Sequence, residues 1–403
     1  YVWDGEGDDA LASNPINWRY VSPDGTVTNN KALATDCNYI FNKTSTKDCT
    51  WDLDRSVITP RSFYILDGYT GTISQGDVSM GYGTGGFLQR DGIYTPNVDH
   101  LNVCDGPFLR HGGMITSGLL RLEMRGVGQF LAIGEHGKDI SIQQLRISGQ
   151  IYNYGFTRVE SSVNGYGLEI CPGASVHTGR FANHLFRVLL YGETSYVNDG
   201  VITGHAAQFR IYLKDIDRTI SLGTVRATVE VITGNTVTAD RVLTVMDGDV
   251  DTLVLRTESP SYSVTMDLAG NPIIANEVSV RERCAIGNGT IRTMSWDSTA
   301  GTILDGTSLI LSDGGTAVLA PGQSFDRLEI ASEDGRTATW TMTATGAQAP
   351  IVTGLKSGSY LWYLDGVEQG EVKAGKDGTI ALSYTSTGLH TLEVKPTSMT
   401  AAM

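Results

Sequence analysis

Apolar residues in this chain come in short runs separated by polar turns, and within many runs they alternate with Thr, Ser or Asp. Residues 130–133, 145–147, 186–190, 209–213 and 225–232 are rich in β-branched and aromatic side chains, the composition that suits a pleated, half-buried surface. No apolar stripe at i, i+3, i+4, i+7 survives for three turns, so the pattern predicts strands and no long helix. Asp-Gly dipeptides recur from Asp4 to Asp377 and mark the positive-φ positions of tight turns and strand-end bulges. Helical and α/β folds are thereby disfavoured.

From about residue 220 to 345 the runs return at a spacing of roughly ten to twelve residues, as short strands with polar turns do; they lie at 243–245, 253–255, 263–266, 278–280, 308–311, 317–319, 328–330 and 337–342. A sandwich, a barrel and a solenoid all bury one face of such strands. No sandwich boundary is visible, so an all-β fold with a right-handed β-helix or β-solenoid body over 55–345 is expected, with stacked β-sandwiches as the alternative. Over 220–345 the strands are expected to stack in parallel coils with almost no helix. Five further runs, 350–355, 360–363, 370–373, 379–384 and 390–394, predict a C-terminal Ig-like β-sandwich over 346–397, without the Cys pair of antibody domains. Residues 1–54 form an N-terminal β segment with a hairpin, and 398–403 a tail. The open ends of a solenoid invite strand addition, so the N-terminal segment and the C-terminal module are the expected contacts with neighbouring copies.

The chain has 403 residues, 48 of them Gly, with 40% apolar and 18% charged residues, which excludes disorder and allows two or three domains. Its formal net charge of -14 repels phosphate backbones, so no nucleic-acid partner is expected. No stretch approaches the roughly 18 to 20 apolar residues of a membrane helix, and no membrane insertion is expected. The chain opens at Tyr1 with no basic-then-apolar leader, as a mature chain does after signal removal, and an extracellular location is the expectation.

Chemistry-bearing residues are sparse. Asp4, Glu6, Asp8 and Asp9 form an acidic, Gly-containing segment that suits calcium, although its spacing is not that of an EF-hand and a solvated turn explains it as well. No other cofactor is suggested. The seven histidines show no zinc spacing. His111, His136 and His205 lie near glycines, but Gly204-His205 lacks the paired carboxylates that sugar cleavage demands. No Gly-x-Ser-x-Gly elbow occurs, and no catalytic residue is assigned. Asn42 and Asn288 open the two N-glycosylation sequons. Among the five cysteines, Cys37 and Cys49 are expected to face each other across a hairpin turning near Lys43 and to form a disulfide. Cys104, Cys171 and Cys284 remain, and an exposed one of these would link neighbouring subunits.

The opening Trp3-Asp-Gly segment with Asn17-Trp18, followed by Cys49-Thr-Trp-Asp-Leu and Gly68-Tyr-Thr-Gly-Thr, resembles the first segment of large secreted β-solenoid surface proteins of bacteria and archaea. The C-terminal Asp-Gly-Thr-Ile and His390-Thr-Leu-Glu-Val pattern resembles Ig-like modules of prokaryotic surface proteins. These resemblances imply a cell-surface protein and are silent about chemistry. The function expected is therefore a non-enzymatic, self-associating structural subunit of a sheath, S-layer or filament. The alternatives are a glycan-binding or glycan-cleaving β-helix protein and a viral fibre or adhesin.

Overall fold

The computed structural model describes residues 1–116, 118–134, 140–161, 166–179, 186–190, 194–204 and 209–397. Among them the one helical element is the 3-10 turn Pro15–Asn17, and the rest of the regular structure is strand. The fold is a β-solenoid. Two compact units divide the chain, Tyr1–Arg210 and Ile211–Met403.

In the first unit, strands about two dozen residues apart in sequence pair in parallel. Asn38–Phe41 lies on Ser62–Ile65, which lies on Gly86–Gln89, which lies on Phe108–Arg110, and Val127–Ala132 and Gln150–Asn153 follow. The pairing keeps like positions in one column, so Tyr39, Phe63, Phe87, Phe108 and Leu131 stack inward, coil upon coil. Phe87 and Phe108 are parallel rings with centroids 4.4 Å apart, and Phe63 stacks on Phe87 at 5.9 Å. Full burial of each such side chain contributes about 1.5–3 kcal/mol, and each ring pair about 0.5–1.5 kcal/mol more. Coil corners are tight enough to demand glycine at particular places. Gly86 has φ +70°, and a Cβ there would lie 2.0 Å from the carbonyl oxygen of Pro107.

The core also holds a polar cluster with its own partners. Tyr82 and Tyr94 donate to Asn102 Oδ1 at 2.8 and 2.7 Å, and Asn102 Nδ2 donates to Gln75 Oε1 at 3.0 Å. Gln75 Nε2 donates to the carbonyl of Val78 at 2.7 Å. Because each group is satisfied, the cluster fixes the register of its coils instead of costing the roughly 1–3 kcal/mol of an orphaned buried polar group.

The N-terminal residues cover the first coil. Val2–Trp3 pairs in parallel with Asn38–Phe41 and antiparallel with Trp18–Val21, which pairs antiparallel with Val27–Asn29. The backbone around Leu11 bonds to Thr50 on the other side of that coil. Trp3, Trp18 and Trp51 are completely buried there, and each indole N–H donates to a backbone carbonyl. The hairpin expected between Cys37 and Cys49 does not form. Asn38–Phe41 and Cys49–Trp51 belong to different sheets, each pairing in parallel with a strand of the next coil. The polar stretch between them turns a corner of the coil, with Asn42 Oδ1 accepting from the N–H and hydroxyl of Thr44, and both cysteines are free thiols.

In the second unit the expected parallel coils are present over 220–345. Thr224–Thr233, Asp249–Thr257 and Pro272–Val280 stack in parallel, and the long strands Cys284–Ser298 and Thr302–Leu319 continue the stack. The five C-terminal runs are strands near the places the pattern gives them, yet they are continuous with the coils. Ala338–Gln348, which spans the expected boundary at 345–346, pairs in parallel with Thr302–Leu319 and antiparallel with Tyr384–Pro396 along its length. Gly358–Leu364 pairs antiparallel with Val367–Ala374 and with Tyr384–Pro396.

Candidate functional site: an uncharged outward face

Strand alternation sends every second side chain outward, and in the first unit the outward columns differ in chemistry from one sheet to the next. One sheet carries hydroxyls, in the column Thr50, Ser74 and Thr95, with Thr95 bonded to Thr116 at 3.0 Å. A second carries charges, in the column Glu123, Arg146 and Glu169. Arg125 forks onto Glu123 at 2.9 and 3.2 Å, and Arg146 approaches Glu169 at 3.3 Å. Burial pushes the Glu123 carboxyl up, but the contacts with Arg125, Arg146 and Ser148 outweigh it and hold it below its ordinary value.

The third sheet is different. Its outward column, in register from coil to coil, runs Val2, Ile40, Tyr64, Leu88, Leu109 and Ala132. The neighbouring column holds Asn38, Ser62 and Gly86, then Phe130, Tyr152 and His177. From Val2 to Ala132 and from Asn38 to His177 the residues named carry no carboxylate, lysine or arginine, and the first charge in register is Arg19, which lies beside Val2. Phe130, Tyr152 and Tyr154 are 42%, 39% and 47% exposed, and Phe130 lies 5.9 Å from Tyr152 and 5.3 Å from Tyr154 between ring centroids. Tyr152 meets His177 edge-on at 5.5 Å. A row of apolar side chains left half in water on successive coils is the kind of surface that marks a contact with another molecule.

Simple alternation hides this face, because it seeks polar residues between the inward ones. The signal is a doubled apolar residue that returns with each coil: Tyr39-Ile40, Phe63-Tyr64, Phe87-Leu88, Phe108-Leu109, Leu131-Ala132.

The residues singled out from sequence lie elsewhere. Asp4 is buried and accepts from Arg19 at 2.7 Å, Glu6 accepts from the same guanidinium at 2.9 Å, and Asp8 is exposed. Asp9 accepts from the backbone of Leu11 and the side chains of Asn14 and Asn17, which holds its carboxyl below the ordinary range. Asp4 and Glu6 therefore serve Arg19 and Asp9 the local turn, and no group of metal-ligating side chains suited to an ion occurs among the described residues. Cys104 and Cys284 are buried, and burial pushes their thiols up to about 12 and about 11, which removes them from the expected intersubunit link. Cys171 is half-buried beside Glu169. Asn288 is exposed and donates to Asp267, whereas Asn42 is half-buried in its turn. His111 is exposed; His136 and His205 lie outside the described residues. No protein-family model, no curated protein and no solved structure matches the chain.

Proposed function

We propose that the protein is a non-enzymatic structural subunit of an extracellular assembly, a sheath, surface layer or filament, and that its copies pack face to face through the uncharged outward face of residues 2–154. The observation that supports this reading is the column Ile40, Tyr64, Leu88, Leu109, Ala132, extended by Phe130 and Tyr152. A second copy is the occupant that fits best. With a net charge of -14, two copies repel one another wherever carboxylates meet, and this face carries none in its two columns. A ladder with a rung about every 4.8 Å is also matched in period by the same ladder on another copy, which favours an isologous contact. Assembly then needs no open strand edge, and the backbone edges of the first coil are already taken by Val2–Trp3 and the segment around Leu11.

Sedimentation equilibrium of the wild type and of the Leu88→Asp/Leu109→Asp double variant tests the reading. Concentration-dependent association of the wild type is expected, weakened at least tenfold in the variant, whose outward-facing substitutions leave the inward stack in place. A wild type that remains monomeric at high concentration, or a variant that associates equally well, overturns it.

A further inference from the structure

A second feature of the first unit lies on a different sheet and does not depend on face-to-face packing. A cleft of about 270 Å³ opens over Gly81 and Val103, walled by Arg55, Ser56 and Thr59 on one side and by Asp105 and Arg125 on the other. Its first wall is a fixed turn. Asp54 accepts from the N–H and hydroxyl of Ser56 at 2.9 and 2.7 Å and from the N–H of Ser79 in the next coil at 3.1 Å, while Arg55 N–H donates to the carbonyl of Ser79 at 2.8 Å. The floor is bare because residue 81 is glycine, and a Cβ there would lie 3.1 Å from both Arg55 Cβ and Thr59 Oγ1.

The charges of this cleft are unevenly used. The Arg125 guanidinium is committed to Glu123. Arg55 and Asp105 carry opposite charges and line the same space; the charge of Asp105 acts on Arg125 and that of Arg55 on Asp54, but neither side chain makes an ion pair or a hydrogen bond among the described residues. Ser56 Oγ already donates to Asp54 and Thr59 Oγ1 to the carbonyl of Arg55, so both hydroxyls face a ligand as acceptors. The cleft thus presents one planar donor fork for a carboxylate and three acceptors for hydroxyl groups. A neutral sugar leaves the guanidinium without its match, and a simple anion meets the Asp105 carboxylate with nothing to donate. A ring that bears one carboxylate and several hydroxyls satisfies both. The volume lies just below the range of ligand pockets, commonly about 300–1,000 Å³, and suits a single ring.

We infer that this cleft binds a hexuronic acid unit of an acidic polysaccharide, its carboxylate on Arg55 and its hydroxyls donating to Asp105, Ser56 and Thr59. Calorimetric titration of the full chain with a galacturonate trimer, its methyl ester and citrate tests the inference. The trimer is expected to bind, the neutral methyl ester at least tenfold more weakly, and citrate not to compete. Arg55→Gln is expected to lower affinity for the trimer at least tenfold, and Asp105→Asn to lower it as well, with the melting temperatures of both variants unchanged. Equal binding of acid and ester, competition by citrate, no binding of the trimer, or unaltered binding by Arg55→Gln each overturns it. None of these results bears on self-association, which is read separately by sedimentation.

Discussion

Phe87 and Leu88 are adjacent in sequence and opposite in consequence. Phe87 is fully buried between Phe63 and Phe108, so Phe87→Ala is expected to destabilise the protein by about 3–5 kcal/mol in urea unfolding, whereas Leu88→Ala on the outward face costs less than about 1 kcal/mol. Equal losses at the two positions would contradict the inward assignment. Thiol chemistry gives a second reading at this scale. Cys37 and Cys171 are half-buried while Cys49, Cys104 and Cys284 are buried with raised thiols, so native alkylation is expected to modify Cys37 and Cys171 alone, and all five only after unfolding. Modification of Cys104 in the folded protein, followed by peptide mass spectrometry, would be evidence against its place in the core. Glu123 supplies a pH signature. Its folded pKa lies below the unfolded value of about 4.3, so its contribution is complete above that value and is lost as pH falls through the folded pKa. The stability gap between wild type and Glu123→Gln is therefore expected to be largest near neutral pH and to shrink toward pH 3. A gap independent of pH would remove the ion pair from the explanation. Inward residues were legible from alternation, whereas the approach of Arg146 and Ser148 to Glu123, and the shared cleft of Arg55 and Asp105, were not, because these neighbours come from different coils.

At the scale of elements, the strand positions were the most legible feature. The runs at 186–190 and 209–213 coincide with Phe186–Leu190 and Phe209–Leu213, and 225–232 falls inside Thr224–Thr233. What connects the strands was not legible in the same way. The polar residues between Phe41 and Cys49 serve equally for a reversal or for a corner, and only the distant partners, Ser62–Ile65 and Thr72–Gln75, make the difference. The C-terminal runs posed the same ambiguity, since the strands of a separate sandwich and antiparallel strands joined to the last coils have the same alternation. Corner geometry can be tested at Gly86, where positive φ and the Pro107 carbonyl both exclude a side chain. Gly86→Ala is expected to destabilise by about 1–3 kcal/mol or more, and Gly118→Ala, where φ is also positive but a Cβ meets nothing within 4 Å, by less. A melting series of the two variants in which Gly118→Ala is the worse would contradict the corner assigned at Gly86.

For the whole molecule, charge and the uncharged face act against each other. The net charge of -14 opposes any contact between copies, and salt screens that repulsion, with a Debye length of about 10 Å at 0.1 M and 3 Å at 1 M. Association through an apolar face is therefore expected to strengthen as salt is raised, whereas association held by ion pairs would weaken. The doubled apolar positions were present in the sequence, but their meaning depends on a period of about two dozen residues that varies from coil to coil, so the column emerges only once the coils are stacked. The most direct measurement is site-specific photo-crosslinking, with benzoylphenylalanine in place of Leu88 on the uncharged face and, as the control, in place of Ser74 on the hydroxyl face. Face-to-face packing predicts a covalent dimer on illumination of the Leu88-substituted protein and little from the Ser74-substituted one. Dimer yields that are equal at the two positions, or absent at position 88, would contradict it.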